Sequence, residues 1–552
     1  MLRIWINNNP LKFWLLSSLL LFILPLGSGH LFDWDEINFA ENAREMVLSK
    51  NFLAVQLNFE PFFEKPPLFI WLQALSFSFL KTFQDIPLTS MEFAARLPNA
   101  IIGSISILSL YSIGKKIYNQ NFGHWWAFAY LVSLAPHIYA SSGIIDPTFN
   151  LFIFLAIFFT WKSIQSKPFL NSIIASIFLG FAMLTKGPVA LLIWGLTCLF
   201  YLIFRKSSIP NLPKALINGI VIIILSSLIF LSWYFALSLE YGWGIFSEFI
   251  QYQIRLLTTG DAGHGQPFYY HFIILLLVVF PISGFAFPEL FRFKKIKSLQ
   301  TYPEPDFEAL MRILFWTVLI LFSLVKTKII HYSSMCWIPM TFIGAKILYD
   351  YQNHGWRFSI KDRIILGIIG NCIGIIFLLV PYIGRNSFEI IPFIQDKFAQ
   401  GNLQAPVEWP ILTYGIGALL LIFTNYWVWI KINRGVQGLI NYFVVFIGIT
   451  VFTSISLLPR VEGYTQRTLI DFCEAKAFQD VYVETIGFKS YAHYLYFEKQ
   501  KKSIDAESLL NAKKLDKPAF FIMKNTVEDK YRYHPNLIFI KEENGFLFYK
   551  KK

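Results

Sequence analysis

The stretch Lys12-Phe13-Trp14-Leu15-Leu16-Ser17-Ser18-Leu19-Leu20-Leu21-Phe22-Ile23-Leu24-Pro25-Leu26 carries one charge, at its start, and is otherwise built of apolar residues and two serines. Together with the residues beside it, it reaches the roughly 17–25 residues that a helix needs to cross a bilayer. Comparable runs recur until about Leu458, after which charged and polar residues become frequent as far as Lys552. Over all 552 residues 55% are hydrophobic and 15% charged, against roughly 25% charged in a soluble domain. A soluble globular chain and a disordered one are both excluded. The small residues Gly27-Ser28-Gly29 would suit the cleavage site of a signal peptide, but so many further runs follow that the segment reads as an uncleaved first span.

The formal net charge of +13 raises the question of nucleic acid. The basic residues, however, form short clusters between apolar runs: Lys115-Lys116, Lys162 with Lys167, Arg205-Lys206 with Lys214, Arg292 with Lys294, Lys295 and Lys297, Arg357 with Lys361 and Arg363, and Lys431 with Arg434. That distribution is the one that sets membrane orientation, with lysine and arginine in cytoplasmic loops. Placing every cluster inside requires the apolar segment 67–83 to be a juxtamembrane or re-entrant helix within one long outer loop, 30–95. The spans are then 12–29, 96–114, 123–142, 147–161, 169–184, 188–204, 215–238, 268–288, 309–325, 329–348, 364–381, 410–430 and 438–458, thirteen in all. An α-helical polytopic membrane domain, 1–458, is expected to be followed by a small soluble α/β domain, 459–552, on the outer side. In that domain Val481 to Val483, Ala519 to Met523 and Leu537 to Ile540 read as strands, and Glu542-Glu543-Asn544-Gly545 as a hairpin turn into Phe546 to Tyr549. The four cysteines, Cys198, Cys336, Cys372 and Cys473, are scattered and define neither a disulfide framework nor a metal motif.

With this topology the unusual polar residues gather at the outer side, where ionisable groups near the bilayer are costly unless they line a cavity or meet a charged ligand. The plain alternative for any single lysine is that it snorkels to the interface. The first outer loop holds Asp33-Trp34-Asp35-Glu36 and continues as an amphipathic helix whose residues Ile37, Ala40, Ala43 and Val47 form an apolar stripe for the membrane. Asp33 and Glu36 have the spacing of a capping box, which leaves Asp35 as the carboxylate without a structural duty and Asp35 with Glu36 as the catalytic pair. Asp33-Trp34-Asp35 also matches the DxD of sugar-nucleotide transferases, but nucleotide sugars are not normally available outside the membrane. Glu64-Lys65 precedes a proline-started helix. Asp146-Pro147 reads either as a site carboxylate or as a plain helix cap. Lys186-Gly187-Pro188 offers a cation at a helix start. Arg255, Asp261 and His264 lie in the next long outer loop, and Lys328 to Tyr332, with His331, enters a later span.

Several cations around one or two carboxylates, facing outward beside lipid, suit transfer of a sugar from a polyprenyl phosphate. The leaving phosphate is fixed at the headgroup level, where preorganised lysine and arginine stabilise its charge, and a carboxylate opposite the anomeric carbon orients or deprotonates the acceptor, with inversion.

The sequence resembles the membrane-embedded GT-C glycosyltransferases of the protein O-mannosyltransferase and aminoarabinose (lipid A) transferase superfamily. The resemblance rests on Asp35-Glu36 followed by Ala40-Glu41-Asn42-Ala43-Arg44-Glu45-Met46, on Phe63-Glu64-Lys65-Pro66-Pro67-Leu68, Ala95-Arg96-Leu97-Pro98, Asp146-Pro147 and Thr185-Lys186-Gly187-Pro188, and on Gly263-His264 with Pro267 and Lys328 to Tyr332. It implies a polyprenyl-phosphate-linked sugar as co-substrate, Asp35 as the catalytic carboxylate, and Lys65 and Arg255 as phosphate contacts. Lys186 and Lys328 are further candidates for the phosphate, and Glu64, Asp146, His264 and Tyr332 for the cavity. Two departures stand out. Ile329-Ile330-His331 replaces the middle of the usual Lys-Leu-Pro-x-Tyr pattern, and Gln251-Tyr252-Gln253-Ile254 before Arg255 lacks a histidine often found there, which leaves Glu64 and His264 as a thin metal-ligand set. The expected partners are membrane lipids, the lipid-linked donor and a lipid or protein acceptor, at the cytoplasmic membrane of the cell. The competing readings are an O-antigen ligase or polymerase using a diphosphate-linked donor, and a transporter or flippase of lipid-linked sugar. Transporters usually place polar sites near the bilayer midplane in repeated halves; here the polar residues gather at one face and no repeat is found.

Overall fold

The computed structural model describes residues 8–83, 87–258, 265–292, 305–355 and 357–552. It is a helical bundle with a small sheet at one end. Among the described residues nine helices are long and apolar enough to cross a membrane, among them Met91–Ile117, Asp146–Gln165, Pro168–Lys186, Leu212–Tyr241 and Ile360–Arg385. The other four expected spans are shorter or broken: Pro10–Ile23, Gln120–Val132 followed by Leu134–Tyr139, Tyr270–Val278 followed by Ser283–Leu290, and the tight turns Ile330–Cys336 leading into Trp337–Asn353. Two of the breaks meet. At Ser133 the backbone turns extended, and the Leu134 amide donates to the Phe280 carbonyl at 3.1 Å, within the other interruption. A broken helix at membrane depth persists only where neighbouring protein satisfies the freed backbone.

The segment 67–83 contains the 12-residue helix Leu68–Phe79, too short to span. Gln73 and Ser76 donate to the carbonyls of Ala95 and Ala94, at 2.9 and 2.7 Å, and fix it on the helix Met91–Ile117. Side-chain contacts hold described basic residues at one end of the bundle. Arg205 pairs with Asp306, Lys346 with Glu308 at 2.6 Å, and Arg363 donates to the carbonyls of Val428 and Trp429 at 2.9 and 2.8 Å. The acidic first loop, Asp146 and Lys186 lie at the other end, where the sheet also sits.

Two short strands, β1 (Gln56–Leu57) and β2 (Glu60–Pro61), form a hairpin in the first loop. The C-terminal sheet comprises β3 (Tyr482–Ile486), β4 (Ala519–Lys524), β5 (Leu537–Glu543) and β6 (Phe546–Lys551) in the order β3-β4-β6-β5, with β3 and β4 parallel and the other pairs antiparallel. Asn544 and Gly545 at φ +51° and +83° make the tight turn between β5 and β6, as an Asn-Gly hairpin requires. The sheet has two buried faces with the period of two expected of a strand. Phe520, Ile522 and Phe548 join the core that runs on through the bundle, while Phe521, Met523, Leu547 and Tyr549 pack with Leu509 and Tyr531.

Two features differ from expectation. The last membrane helix runs on to Thr465, beyond the boundary at 458. In addition, the segment between Ile360–Arg385 and Ile411–Lys431 joins the sheet: Phe398 packs on Phe546, Lys397 pairs with Glu528 at 2.8 Å, and a Cβ on Gly401 would lie 2.4 Å from the Cα of Gly545.

Candidate active site

The helix that carries the first-loop carboxylates is Asp35–Ser49. The sequence predicts a helix with one apolar stripe on the membrane, but every residue from Glu36 to Met46 is buried. The helix lies between Leu68–Phe79 and the C-terminal unit, so its charged face is enclosed as well. Arg44 binds Glu41 through two hydrogen bonds of 2.8 and 2.7 Å, and Glu45 accepts from the Phe59 amide at 2.7 Å. Burial and the neighbouring Glu41 push the Glu45 carboxyl up from the ordinary carboxylate range.

The capping box is not formed. Trp34, not Asp33, precedes the helix, and no side chain caps it. Asp33 instead reaches the C-terminal unit, accepting from the Ser490 hydroxyl and from the Tyr491 amide at 3.2 Å. Burial pushes its carboxyl up to about 6 against these bonds.

Glu36, the other carboxylate of the expected pair, is fully engaged by donors. Both of its oxygens are taken by Arg96, at 3.0 Å each, and they accept in addition from the amides of Gly143, at 2.5 Å, and Phe32, at 3.0 Å. Burial alone would raise this carboxyl; Arg96 and the two amides outweigh that and hold it below its usual range. Arg96 has five N–H donors, and its three remaining bonds go to the carbonyls of Leu26, Gly29 and His30, at 3.0, 3.1 and 2.9 Å. The pair is a clamp that sets the path of the loop from the first helix to Asp35.

Asp35, one residue earlier, is far more open. Its side chain is 44% exposed and lines a cavity of about 820 Å³. The cavity wall includes Trp34, Glu64, Lys65, Tyr139, Arg255, His331, Tyr332, Lys489 and Tyr491. His331 Nε2 stands 3.8 Å from an oxygen of Asp35 and 3.9 Å from one of Asp146. Asp146 is paired with Lys186 at 2.6 Å, and the Lys186 ammonium lies over the rings of Tyr332 and Phe149 at 5.2 and 5.5 Å. A chain of polar side chains, Lys186, Asp146, His331 and Asp35, therefore runs from within the bundle to the cavity.

Of the expected site residues, the structure brings Asp35, Glu36, Glu64, Lys65, Arg255 and Tyr332 to the cavity wall. Asp146 and Lys186 stand behind it as an ion pair. Lys328 is buried and donates to the Val325 carbonyl at 2.6 Å. His264 lies outside the described residues, as does Asp261. Glu64 lines both the main cavity and a smaller neighbour of about 420 Å³ that it shares with Glu248 and Arg255. Among the described residues, histidine and carboxylate ligand atoms gather closely at His30, Asp471 and Glu474, away from the cavity.

Sequence reasoning placed His331 among the outward polar residues without giving it a role, and did not single out Arg96, Lys489 or Tyr491 as site residues. Arg96 had a signal, a lone guanidinium within an apolar helix, which is costly without a partner. Lys489 and Tyr491 had none, because only the folding of the C-terminal unit brings them beside Trp34.

The bundle, its broken helices and a cavity walled by one outward loop are the features in which the chain is similar to polytopic membrane glycosyltransferases of known sequence and fold. The family model of dolichyl-phosphate-mannose-protein mannosyltransferases matches residues 64–233. More particularly, the chain resembles undecaprenyl phosphate-α-4-amino-4-deoxy-L-arabinose arabinosyl transferases. It is 26% identical over 436 residues to that of Photorhabdus laumondii, covering 75% of this chain and 72% of the relative. It is 25% identical over 387 residues to that of Pseudomonas savastanoi, covering 68% of each. In fold it is similar to ArnT from Cupriavidus metallidurans bound to undecaprenyl phosphate, with a TM-score of 0.76 and 16% identity over 98% of this chain and 97% of that one. It is more distantly similar to an oligosaccharyltransferase of Archaeoglobus fulgidus, with a TM-score of 0.52 and 10% identity over 94% of this chain and 71% of that one.

Proposed function

We propose that this protein transfers an aminopentose of the 4-amino-4-deoxy-L-arabinose type from undecaprenyl phosphate to a lipid A-like acceptor, on the outer face of the cytoplasmic membrane. The observation that carries the reading is Asp35: a half-exposed carboxylate within a cavity of about 820 Å³ whose wall also holds Lys65 and Arg255. The relatives' names supply the sugar and its carrier.

In the reaction an acceptor oxygen forms a bond to the anomeric carbon while the bond from that carbon to the phosphate oxygen breaks. The electron pair leaves with undecaprenyl phosphate. Lys65 and Arg255 stabilise the departing phosphate, as donors already in place where charge develops. Asp35 orients the acceptor oxygen and takes its proton where it carries one. His331 holds Asp35 through its contacts to Asp35 and Asp146, acting as a positioning residue. Attack opposite the leaving phosphate inverts the anomeric centre.

The bundle 1–458 is then the catalytic domain, with 30–95 as its first outer loop, and 459–552 an outer domain that closes the cavity. The separation of the basic clusters from the acidic end supports that sidedness. Glu64 is the described residue from which a divalent-metal requirement would have to start.

The test is transfer by the purified protein in detergent. Undecaprenyl monophosphate-linked aminoarabinose is expected to be consumed with lipid A as acceptor, and a diphosphate-linked oligosaccharide donor to be left intact. Turnover of the diphosphate donor alone would favour a ligase or polymerase, and no turnover of either would contradict the reading.

A further inference from the structure

The loop from the first helix to Asp35 is bound to the end of the last membrane helix. Gln466 donates to the Leu31 carbonyl at 2.6 Å and accepts from the Asp33 amide at 2.9 Å. Gly29, at φ +78°, approaches Pro459 so closely that a Cβ there would stand 2.9 Å from the proline Cβ. These contacts bring His30 to the helix Arg467–Glu474, on which Asp471 and Glu474, three residues apart, share one face. One ligand atom from each of His30, Asp471 and Glu474 lies within 4.8 Å of the other two.

The His30 ring is oriented from behind. Its Nδ1 lies 3.2 Å from Oε1 of Glu462, a fully buried carboxylate whose other oxygen accepts from Arg467 at 2.5 Å. An ionised carboxylate only accepts, so Nδ1 carries the proton. In the neutral ring Nε2 then turns its lone pair toward Glu474, 3.9 Å away. A histidine whose second nitrogen donates to a carboxylate is the arrangement that holds imidazoles in place for a metal. Among the described residues the exposed carboxylates of Asp471 and Glu474 accept no hydrogen bond. Arg467 is committed to Glu462, and Glu92 adds negative charge near His30 and Glu474. Three acceptors facing one another amid surplus negative charge suit a cation between them.

We propose that His30, Asp471 and Glu474 bind a divalent cation of the zinc class, and that the ion fastens the first outer loop to the helix that follows the last membrane span. One imidazole and two carboxylates suit zinc, whereas calcium and magnesium take oxygen ligands. Zinc–ligand distances of about 2.0–2.2 Å set tetrahedral ligands about 3.5 Å apart, a contraction that rotation of the exposed Asp471 and Glu474 side chains supplies. None of the three residues lines the main cavity, where Glu64 lies. The ion therefore holds structure and takes no part in transfer, and the proposal stands independently of the transfer reading.

The experiment titrates zinc into the purified full chain in detergent, isolated on an affinity tag without histidine and stripped with chelator, and follows bound metal by elemental analysis together with the melting temperature. The wild type is expected to hold one more zinc per chain than the double variant Asp471→Asn with Glu474→Gln, and to melt a few degrees higher when zinc is bound. Calcium and magnesium should leave melting unchanged. The double variant, and separately His30→Gln, should bind this zinc at least about tenfold more weakly and lose the melting shift. Both carboxylates are exposed, so the metal-free double variant should melt like the metal-free wild type. The difference of one zinc should persist when Glu64→Gln is added to both proteins, which separates the cluster from any ion in the main cavity. Equal zinc in wild type and double variant, a difference that disappears with Glu64→Gln, or a melting shift with calcium and none with zinc would overturn the proposal. So would a melting temperature that responds to protonation of His30 and not to zinc, which would make the cluster an ion pair.

Discussion

Asp35 and Glu36 are consecutive carboxylates in one helical turn beside one cavity, and their immediate surroundings are built on opposite principles. Behind the loop, Glu36 and Arg96 are buried and every oxygen of the carboxylate is matched by a donor. In front of it, Asp35 is half exposed, with the His331 ring nitrogen 3.8 Å from one of its oxygens. A saturated carboxylate can hold a chain in place but has no capacity left for a substrate. A carboxylate with open positions contributes little to the fold and can accept a proton. The contrast teaches that function follows from unfilled coordination, which two identical charges side by side in a sequence do not reveal.

The largest stability effect is expected from breaking the clamp. Arg96→Ala leaves Glu36 buried without its partner, and loss of one member of a buried pair costs about 3–5 kcal/mol. Thermal unfolding in detergent checks this, and a melting temperature within error of wild type would show that the clamp does not hold the loop. His331→Asn sharpens the front region. Removing the contact between Asp35 and Asp146 should lower kcat by about 10- to 100-fold through misplacement, with donor binding and melting unchanged; a loss confined to donor affinity would place His331 on the donor instead.

The smallest effect concerns Asp33, which lines the cavity and ties the loop to the C-terminal unit. Its carboxyl, at about 6 in the folded protein against the usual 3.8, holds its proton more tightly than in the unfolded chain. Its contribution to stability is therefore fullest below the unfolded value and is lost as pH rises through about 6, staying constant beyond. Asp33→Asn should make the fall of melting temperature between about pH 4 and 6 shallower, and parallel curves for the two proteins would contradict the assignment.

Much of the fold was legible because it rests on local signals. Hydropathy located the membrane helices, the short apolar segment 67–83 was recognised by what the basic clusters require of it, and Asn544-Gly545 placed the hairpin through its backbone preference alone. What stayed hidden depends on partners far away in the chain. The breaks at Ser133 and around Phe280 are joined by the Leu134 amide and the Phe280 carbonyl, a contact between distant parts of the chain that no local pattern announces. Asp33 and Glu36 have capping-box spacing, but Ser490 and Arg96 bind them more completely than the helix end would. The stripe of Ile37, Ala40 and Ala43, expected on the membrane, is buried in protein, and the C-terminal unit also covers the opposite face, which no periodicity announces.

The central claim is that Asp35 performs the chemistry and Glu36 holds the fold. It is tested most directly by measuring transfer from undecaprenyl-phosphate-linked aminoarabinose, together with the melting temperature, for Asp35→Asn and Glu36→Gln in one detergent preparation. The account predicts that Asp35→Asn melts like wild type and loses about 10²–10⁴-fold in kcat, while Glu36→Gln loses melting temperature first. Wild-type turnover by a folded Asp35→Asn protein would contradict it.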